Sequence, residues 1–251
     1  MTNVGRPAAA LQLYTVRAAL EDDRDRALKR IRELGYSSVE AAGADGAPTT
    51  LRPADLADYD LSVVGAYFLG EPASLPAFLE EQRTVNNPTV ISMLGPASFV
   101  DPATARHAAA EFNQRATLAR EAGMTLGYHN HGWELASAGA DAFAFDAFVE
   151  ALDADVFLEF DYYWAAVAGV SAEVARARYG SRIRRLHVKD GPLTDSPIMN
   201  VMGEGELDVA ATVAATPGLD WVIVAFDDFD GDPLEASGED LRYLRESGVV
   251  A

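Results

Sequence analysis

The sequence predicts a closed barrel of eight parallel strands wrapped by helices, a single (β/α)8 TIM-barrel domain of the α/β class spanning residues 1–251. Three observations carry this expectation. Strand-like runs alternate with helical patterns from one end to the other, and there are eight such runs. The length of 251 residues suits eight strand-helix units in one domain. The competing doubly wound sheet usually opens on a glycine-rich turn, and "QLYTVRAAL" contains no G-x-G-x-x-G.

The runs, in order, are "AALQLYTV" from Ala9, "SSVEAAG" from Ser37, "LSVVGAYF" from Leu61 and "TVISMLG" from Thr89. "TLGYHNH" from Thr125, "VFLEFDYYW" from Val156, "IRRLHVKD" from Ile183 and "WVIVAFDD" from Trp221 complete the set. The helical patterns carry their own stop and start signals. In "DPATARHAAAEFNQRATLAREAG", Asp101 suits the N-cap, Pro102 the first turn and Gly123 the C-terminal stop. "EDDRDRALKRIRELG" places acids early, bases late and Gly35 at its end. No repeat, low-complexity tract or linker divides the chain.

Composition narrows the partners. Thirty-nine acids against 20 Lys and Arg give a formal charge of -19, a field that repels nucleic-acid phosphates and anionic membranes. The densest basic cluster, "RIRRLHVK", lies on a strand pattern rather than a surface patch. No run approaches the ~18 apolar residues of a membrane span. With no cysteine, disulfides and thiolate metal sites are excluded, and we read the chain as cytoplasmic. Homo-oligomerisation is left open.

Alternation within the strands identifies a site. Side chains of a barrel strand point in turn to the interior and to the helix layer. Leu11 and Leu13 suit the helix layer, which turns Gln12 and Tyr14 inward. By the same parity Glu40, His129, His131, Glu159, Asp161, Arg185, His187 and Lys189 face the axis. Most fall near the C-terminal ends of their strands, where barrels of this type keep their active sites. Charges in a water-poor interior must be paired, solvated or metal-bound.

Each signal has a structural reading beside the functional one. His129 and His131 could be hydrogen-bonded histidines in a wet barrel mouth, but imidazole is also the commonest metal ligand and acid-base group. Glu159 and Asp161 could pair with Arg185 or Lys189 across the barrel. A lysine aimed at the axis beside histidine and carboxylates reads more readily as functional. Trp164 and Tyr162 suit either rim packing or stacking against a sugar-like ring. "MGEGELD" reads as a turn into the next helix, with Glu204 reaching the site. His107 lies mid-helix and is structural. "DDFDGD" lacks the spacing and terminal glutamate of a calcium loop and reads as an exit loop.

"LQLYTVR", "VEAAG", "YHNHGWE", "EFDYYWAAVAG", "HVKD" and "GEGELD" resemble, in this order, the sugar phosphate isomerase/epimerase superfamily of xylose isomerase-like TIM barrels. The likeness runs from about Leu11 to Leu244. It implies one divalent metal (Mn, Mg, Zn or Co) held by Glu, Asp, His and Glu from strands five to eight. The Asp falls on Asp161 and the His on His187. His129 stands where the strand-five glutamate would be, with Glu134 as a stand-in from the following loop. The last glutamate should end strand eight in a segment like "WVIVEQD"; here "WVIVAFD" puts Ala225 at that position. A methyl group donates no electron pair, so the implied metal is weakened or absent, unless Asp227, of the same parity, completes a shifted site. Tyr67 stands where relatives often place a histidine.

The chemistry implied is proton abstraction next to a carbonyl of a small polyhydroxylated substrate, giving isomerisation or epimerisation. Loss of a β-substituent would instead make a dehydratase or 3-keto-glycoside lyase. Lys189 and His131 are expected in proton transfer or oxyanion stabilisation, and Glu40 as a second acid-base group. Gln12, Tyr14, Trp164, Glu159 and Glu204 are expected to bind substrate. The alternative is a non-catalytic sugar-binding or regulatory barrel whose metal site has decayed. The superfamily's abasic-site endonucleases are set aside, because they need a multi-metal cluster and tolerance of DNA phosphates.

Overall fold

A computed structural model describes residues 5–41, 56, 58–136 and 143–251. Eight parallel strands close into a barrel: β1 (Ala8–Gln12), β2 (Ser38–Ala41), β3 (Ser62–Tyr67), β4 (Thr89–Ser92), β5 (Thr125–His129), β6 (Phe157–Asp161), β7 (Ile183–Val188) and β9 (Trp221–Val224). β1 pairs with both β2 and β9, which completes the cylinder. Two residues from each of two exit loops, β8 (Ile198–Met199) and β10 (Asp228–Phe229), pair in parallel beside it. They tie the segment after β7 to the segment after β9.

Strand parity follows the sequence pattern. Leu11, Val39, Tyr128, Leu158, Phe160, Leu186 and Val224 belong to the main apolar core. The barrel interior holds two small apolar clusters of its own, Ala10 with Val64 and Ile223, and Tyr67 with Ile91 and Phe157. Burial of the helix-facing layer supplies the driving force that fixes the opposite, polar set inward.

The strands are shorter than the sequence runs, for local reasons. β1 stops at Gln12, and Leu13–Val16 forms a 3-10 turn that carries Tyr14. β6 stops at Asp161, whose carboxylate accepts from the Trp164 backbone N–H at 3.0 Å and starts α6 (Tyr162–Val167). Tyr162 and Trp164 are therefore helical, not strand, residues. Ala42 and Gly43 of the second run lie outside the described residues.

Of the helices among the described residues, α3 (Leu75–Thr84), α5 (Ala144–Ala151) and α7 (Ala172–Tyr179) belong to the outer layer, and the two helical patterns singled out in the sequence fare differently. α4 (Pro102–Glu121) begins at Asp101, which accepts from Thr104 N at 2.7 Å, and it is followed by Gly123 at φ +80°. The pattern ending at Gly35 is two helices, α1 (Arg17–Asp22) and α2 (Arg24–Glu33). Asp23, extended at φ −152°, breaks the first and caps the second. "MGEGELD" is a loop leading to α8 (Val209–Ala214). It is gathered around Asp190, whose buried carboxylate accepts from the backbone N–H groups of Gly191, Gly203, Gly205 and Leu207 at 2.8–3.0 Å. "DDFDGD" runs through β10 to Asp232, which caps α9 (Pro233–Glu246).

Candidate active site

A cavity of about 590 Å³ opens at the C-terminal mouth of the barrel. Gln12, Tyr14, His129, His131, Trp164, His187 and Lys189 all border it, as does Asp227. These side chains leave β1, β5, β6, β7 and β9 or the turns just beyond them, so the mouth gathers chemistry that is scattered in the sequence.

Lys189 is the centre of the upper layer. Its Nζ lies 2.8 Å from Asp161 Oδ2 and 2.8 Å from Asp227 Oδ1, and the side chain is 3% exposed. Burial alone lowers a lysine pKa, but the Asp161 and Asp227 charges outweigh it and raise this one above its ordinary value. Lys189 is therefore an ammonium at neutral pH. Both acids are themselves fixed: Asp161 Oδ1 caps α6, and Asp227 Oδ2 accepts from the Trp164 indole N–H at 2.7 Å. An ammonium has three donors; Asp227 Oδ1 takes one, Asp161 Oδ2 faces the charge as an ion pair, and donor capacity is left for a ligand oxygen.

The imidazoles differ. His129 is buried, its ring centroid 4.5 Å from that of His187 and 5.0 Å from that of His131. Burial, then the His187 charge, lowers its pKa to about 4, so it is neutral at pH 7. His131 is half-buried and stacks on Trp133 at 3.9 Å with an interplanar angle of 11°. Its loop is held by Glu134, which accepts from the His131 backbone N–H at 2.8 Å and from Tyr128 Oη at 2.9 Å.

Beneath the cavity floor lies a second, closed layer. His187 Nε2 lies 2.9 Å from Glu40 Oε2 and 3.1 Å from Glu159 Oε1. Tyr67 donates to Glu159 at 2.7 Å. Arg185 Nη1 lies 3.7 and 3.8 Å from the same two glutamates, and its Nη2 donates to the Val64 carbonyl and to Thr89 Oγ1. Burial lowers the His187 pKa, but Glu159 and Glu40 outweigh it and lift it to about 10. Glu40 is pushed up to about 8 by burial and by the charge of Glu159. Glu159 remains the carboxylate of the pair, held down by His187 against the opposing effect of burial.

This geometry corrects several sequence expectations. Glu40 and Glu159, expected as an acid-base group and a substrate ligand, are fully buried under His187 and do not border the cavity. They position His187. Glu204 is exposed on the loop around Asp190 and does not border the cavity either. Glu134 is no metal stand-in, because its oxygens are taken by Tyr128 and the His131 backbone. Tyr162 packs into the apolar core. Trp133, Leu69, Met93 and Asp195 border the cavity and were not anticipated. Trp133 was legible as the aromatic two residues after His131; Leu69 and Asp195 sit on loops, where no periodicity marks a direction.

His129, Asp161 and His187 can each offer a ligand atom within 4.8 Å of the others, and so can Glu40, Glu159 and His187. A divalent ion nevertheless does not fit this arrangement. The Lys189 ammonium already lies against Asp161 Oδ2, the oxygen a metal would need at ~2.0–2.2 Å. His187 sits between two carboxylates as an imidazolium, which has no lone pair on that nitrogen to give. At the β9 position Ala225 offers only a methyl group.

The family model for the xylose isomerase-like TIM barrel matches residues 28–247. The chain belongs to this family. No curated protein matches it in sequence. Among solved structures, this xylose isomerase-like barrel is similar to a sugar phosphate isomerase/epimerase from Parabacteroides distasonis, at 18% identity and TM-score 0.82, covering 98% of this chain and all of that one. It is also similar to an L-ribulose 3-epimerase, at 18% identity and TM-score 0.70, with 98% and 96% covered. A third is the IOLI protein with a bound zinc atom, at 14% identity and TM-score 0.69, with 96% of each chain covered. At these identities the likeness is one of fold.

Proposed function

We propose that this barrel is an isomerase, epimerase or lyase that removes a proton next to the carbonyl of a small, uncharged, polyhydroxylated substrate. The observation that carries the reading is the Lys189 ammonium, fixed between two carboxylates with donor capacity left over, on the same cavity as the imidazoles of His129 and His131. The carbonyl oxygen accepts the free Lys189 N–H. The His131 imidazole takes the proton from the neighbouring carbon, and the C–H electron pair moves onto the oxygen as an enediolate. Lys189 stabilises that charge as it forms, the kind of help that is worth ~10²–10³ in rate when one donor is removed. Return of the proton to the adjacent carbon or the opposite face gives an isomer or epimer; expulsion of a β-oxygen gives elimination.

The substrate class follows from the wall. Trp133, Trp164 and Tyr14 border the cavity with aromatic surface of the kind that packs on the apolar face of a sugar. Among the described residues the cavity is bordered by no arginine, its lysine is already paired, and Asp195 and Asp227 add negative charge. That environment rejects a phosphate.

The test is incubation of the protein in D2O with unphosphorylated ketoses and 3-keto-glycosides, followed by NMR. Deuterium entering the carbon next to the carbonyl supports the reading. Binding of such compounds with no exchange across the panel supports the alternative, a sugar-binding or regulatory barrel, which Ala225 favours.

A further inference from the structure

We propose that Lys189 is a resident cation standing in for the divalent metal at this barrel mouth, so that the site is complete without metal and becomes a metal site when that ammonium is removed. Three features on separate elements converge on this. Ala225, fully buried and of inward parity just past β9, leaves that wall of the site without a ligand. Asp227, two residues further on, borders the same cavity, and what it holds is Lys189 Nζ, at 2.8 Å. Asp161, the fully buried carboxylate from β6, sets its Oδ2 against the same nitrogen at 2.8 Å.

Metal and ammonium exclude one another here. An ion at ligand distance from Asp161 Oδ2 would be packed against an ammonium bound to that same oxygen, with the Arg185 guanidinium in the layer below. Like charges at such range, out of bulk water, are strongly unfavourable. With the ammonium gone, Asp161, Asp227 and the His129 imidazole remain around the vacated volume, an oxygen-and-imidazole set suited to first-row divalent ions whose other positions water fills. The role of Lys189 as electrophile toward a carbonyl rests on the function proposed above; its occupation of the cation position does not.

The probe is Co2+ alone, titrated into the whole chain and into Lys189→Met and Lys189→Gln, with the visible d–d absorption as readout and circular dichroism as the control for folding. The expected result is no saturable Co2+ spectrum in the unmodified chain and a spectrum saturating near one equivalent in the variants, with at least a hundredfold tighter binding. Stoichiometric Co2+ uptake by the unmodified chain overturns the proposal whether or not the variants fold. Absence of Co2+ uptake in folded Lys189→Met and Lys189→Gln overturns it too, because the lysine would then not be what keeps metal out. If the Co2+ pattern is as expected but no ketose exchanges deuterium, the functional reading fails and the cation assignment stands. If exchange occurs and is abolished by a chelator, the assignment fails and the functional reading stands.

Discussion

The indole N–H of Trp164 donates to Asp227 Oδ2 at 2.7 Å, which leaves the other oxygen of that carboxylate to Lys189. One aromatic residue on the helix after β6 thus sets the orientation of an acid beyond β9, and through it the ammonium at the centre of the site. Trp164 also places its ring 5.9 Å from Lys189 Nζ. Its contribution is both a wall and a clamp.

Trp164→Phe keeps an aromatic wall and removes the clamp. A hydrogen bond to a charged group is worth ~1.5–3 kcal/mol, and ~1.4 kcal/mol is tenfold in rate. We expect kcat/KM to fall by at least about tenfold and Tm to fall by only several degrees, at ~2–4 °C per kcal/mol, so that the variant stays folded under assay conditions. Steady-state kinetics on a substrate found by deuterium exchange, together with a thermal melt, checks this.

The buried layer under His187 gives a stability contrast. Arg185→Ala leaves Glu40 and Glu159 with His187 as their one remaining cationic partner, and breaking a buried ion pair costs ~3–5 kcal/mol. Glu40→Gln should cost much less at pH 7, because burial and Glu159 already hold Glu40 in its protonated form, to about 8. Urea unfolding at pH 7 should rank the two variants in that order by a wide margin.

Stability should fall on the alkaline side of pH 6.5. Glu40 is raised from 4.5 to about 8, and His187 from 6.5 to about 10. Asp240, raised from 3.8 to about 8 chiefly by burial, behaves like Glu40. In each case the folded pKa exceeds the unfolded one, so the contribution is complete below the unfolded value and is lost as pH rises toward the folded one. His129, lowered from 6.5 to about 4, works in the opposite sense and adds stability between about pH 4 and 6.5. Up to pH 6.5 that gain offsets part of the loss; from 6.5 to 8 Glu40, Asp240 and His187 act together, at ~1.4 kcal/mol per pH unit for each proton. The urea midpoint should decline over that interval, and less steeply in Glu40→Gln. A flat or rising midpoint would contradict the assignment.

Asp190→Ala should disorganise the loop after β7. Its carboxylate satisfies the backbone N–H groups of Gly191, Gly203, Gly205 and Leu207, and donors left without a partner cost ~1–3 kcal/mol where they are buried. We expect a loss of ~2–4 kcal/mol in urea unfolding and faster amide exchange confined to residues 190–208.

Strand parity was legible because it repeats every two residues and separates greasy from polar side chains cleanly: Leu158 and Phe160 out, Glu159 and Asp161 in. Depth along the barrel axis has no such signature. Glu40 and Glu159 share their parity with the cavity residues, and only the three-dimensional stagger shows that His187 lies between them and the cavity. Glu204 failed for a related reason. It follows Gly203, which adopts φ +90°, and a turn built on backbone donors to Asp190 carries no periodicity from which a direction could be read. Ala225 was visible as a missing ligand in the sequence; that Asp227 and Lys189 answer it together depended on a contact between residues 38 apart.

The most direct measurement is the rate of deuterium exchange at the carbon next to the carbonyl, compared between the unmodified chain and Lys189→Met in the presence of chelator at pH 7. A loss of at least about a hundredfold in the variant, with exchange by the unmodified chain untouched by chelator, is the predicted result. Exchange by Lys189→Met within about twofold of the unmodified chain would show that the ammonium does not carry the developing charge.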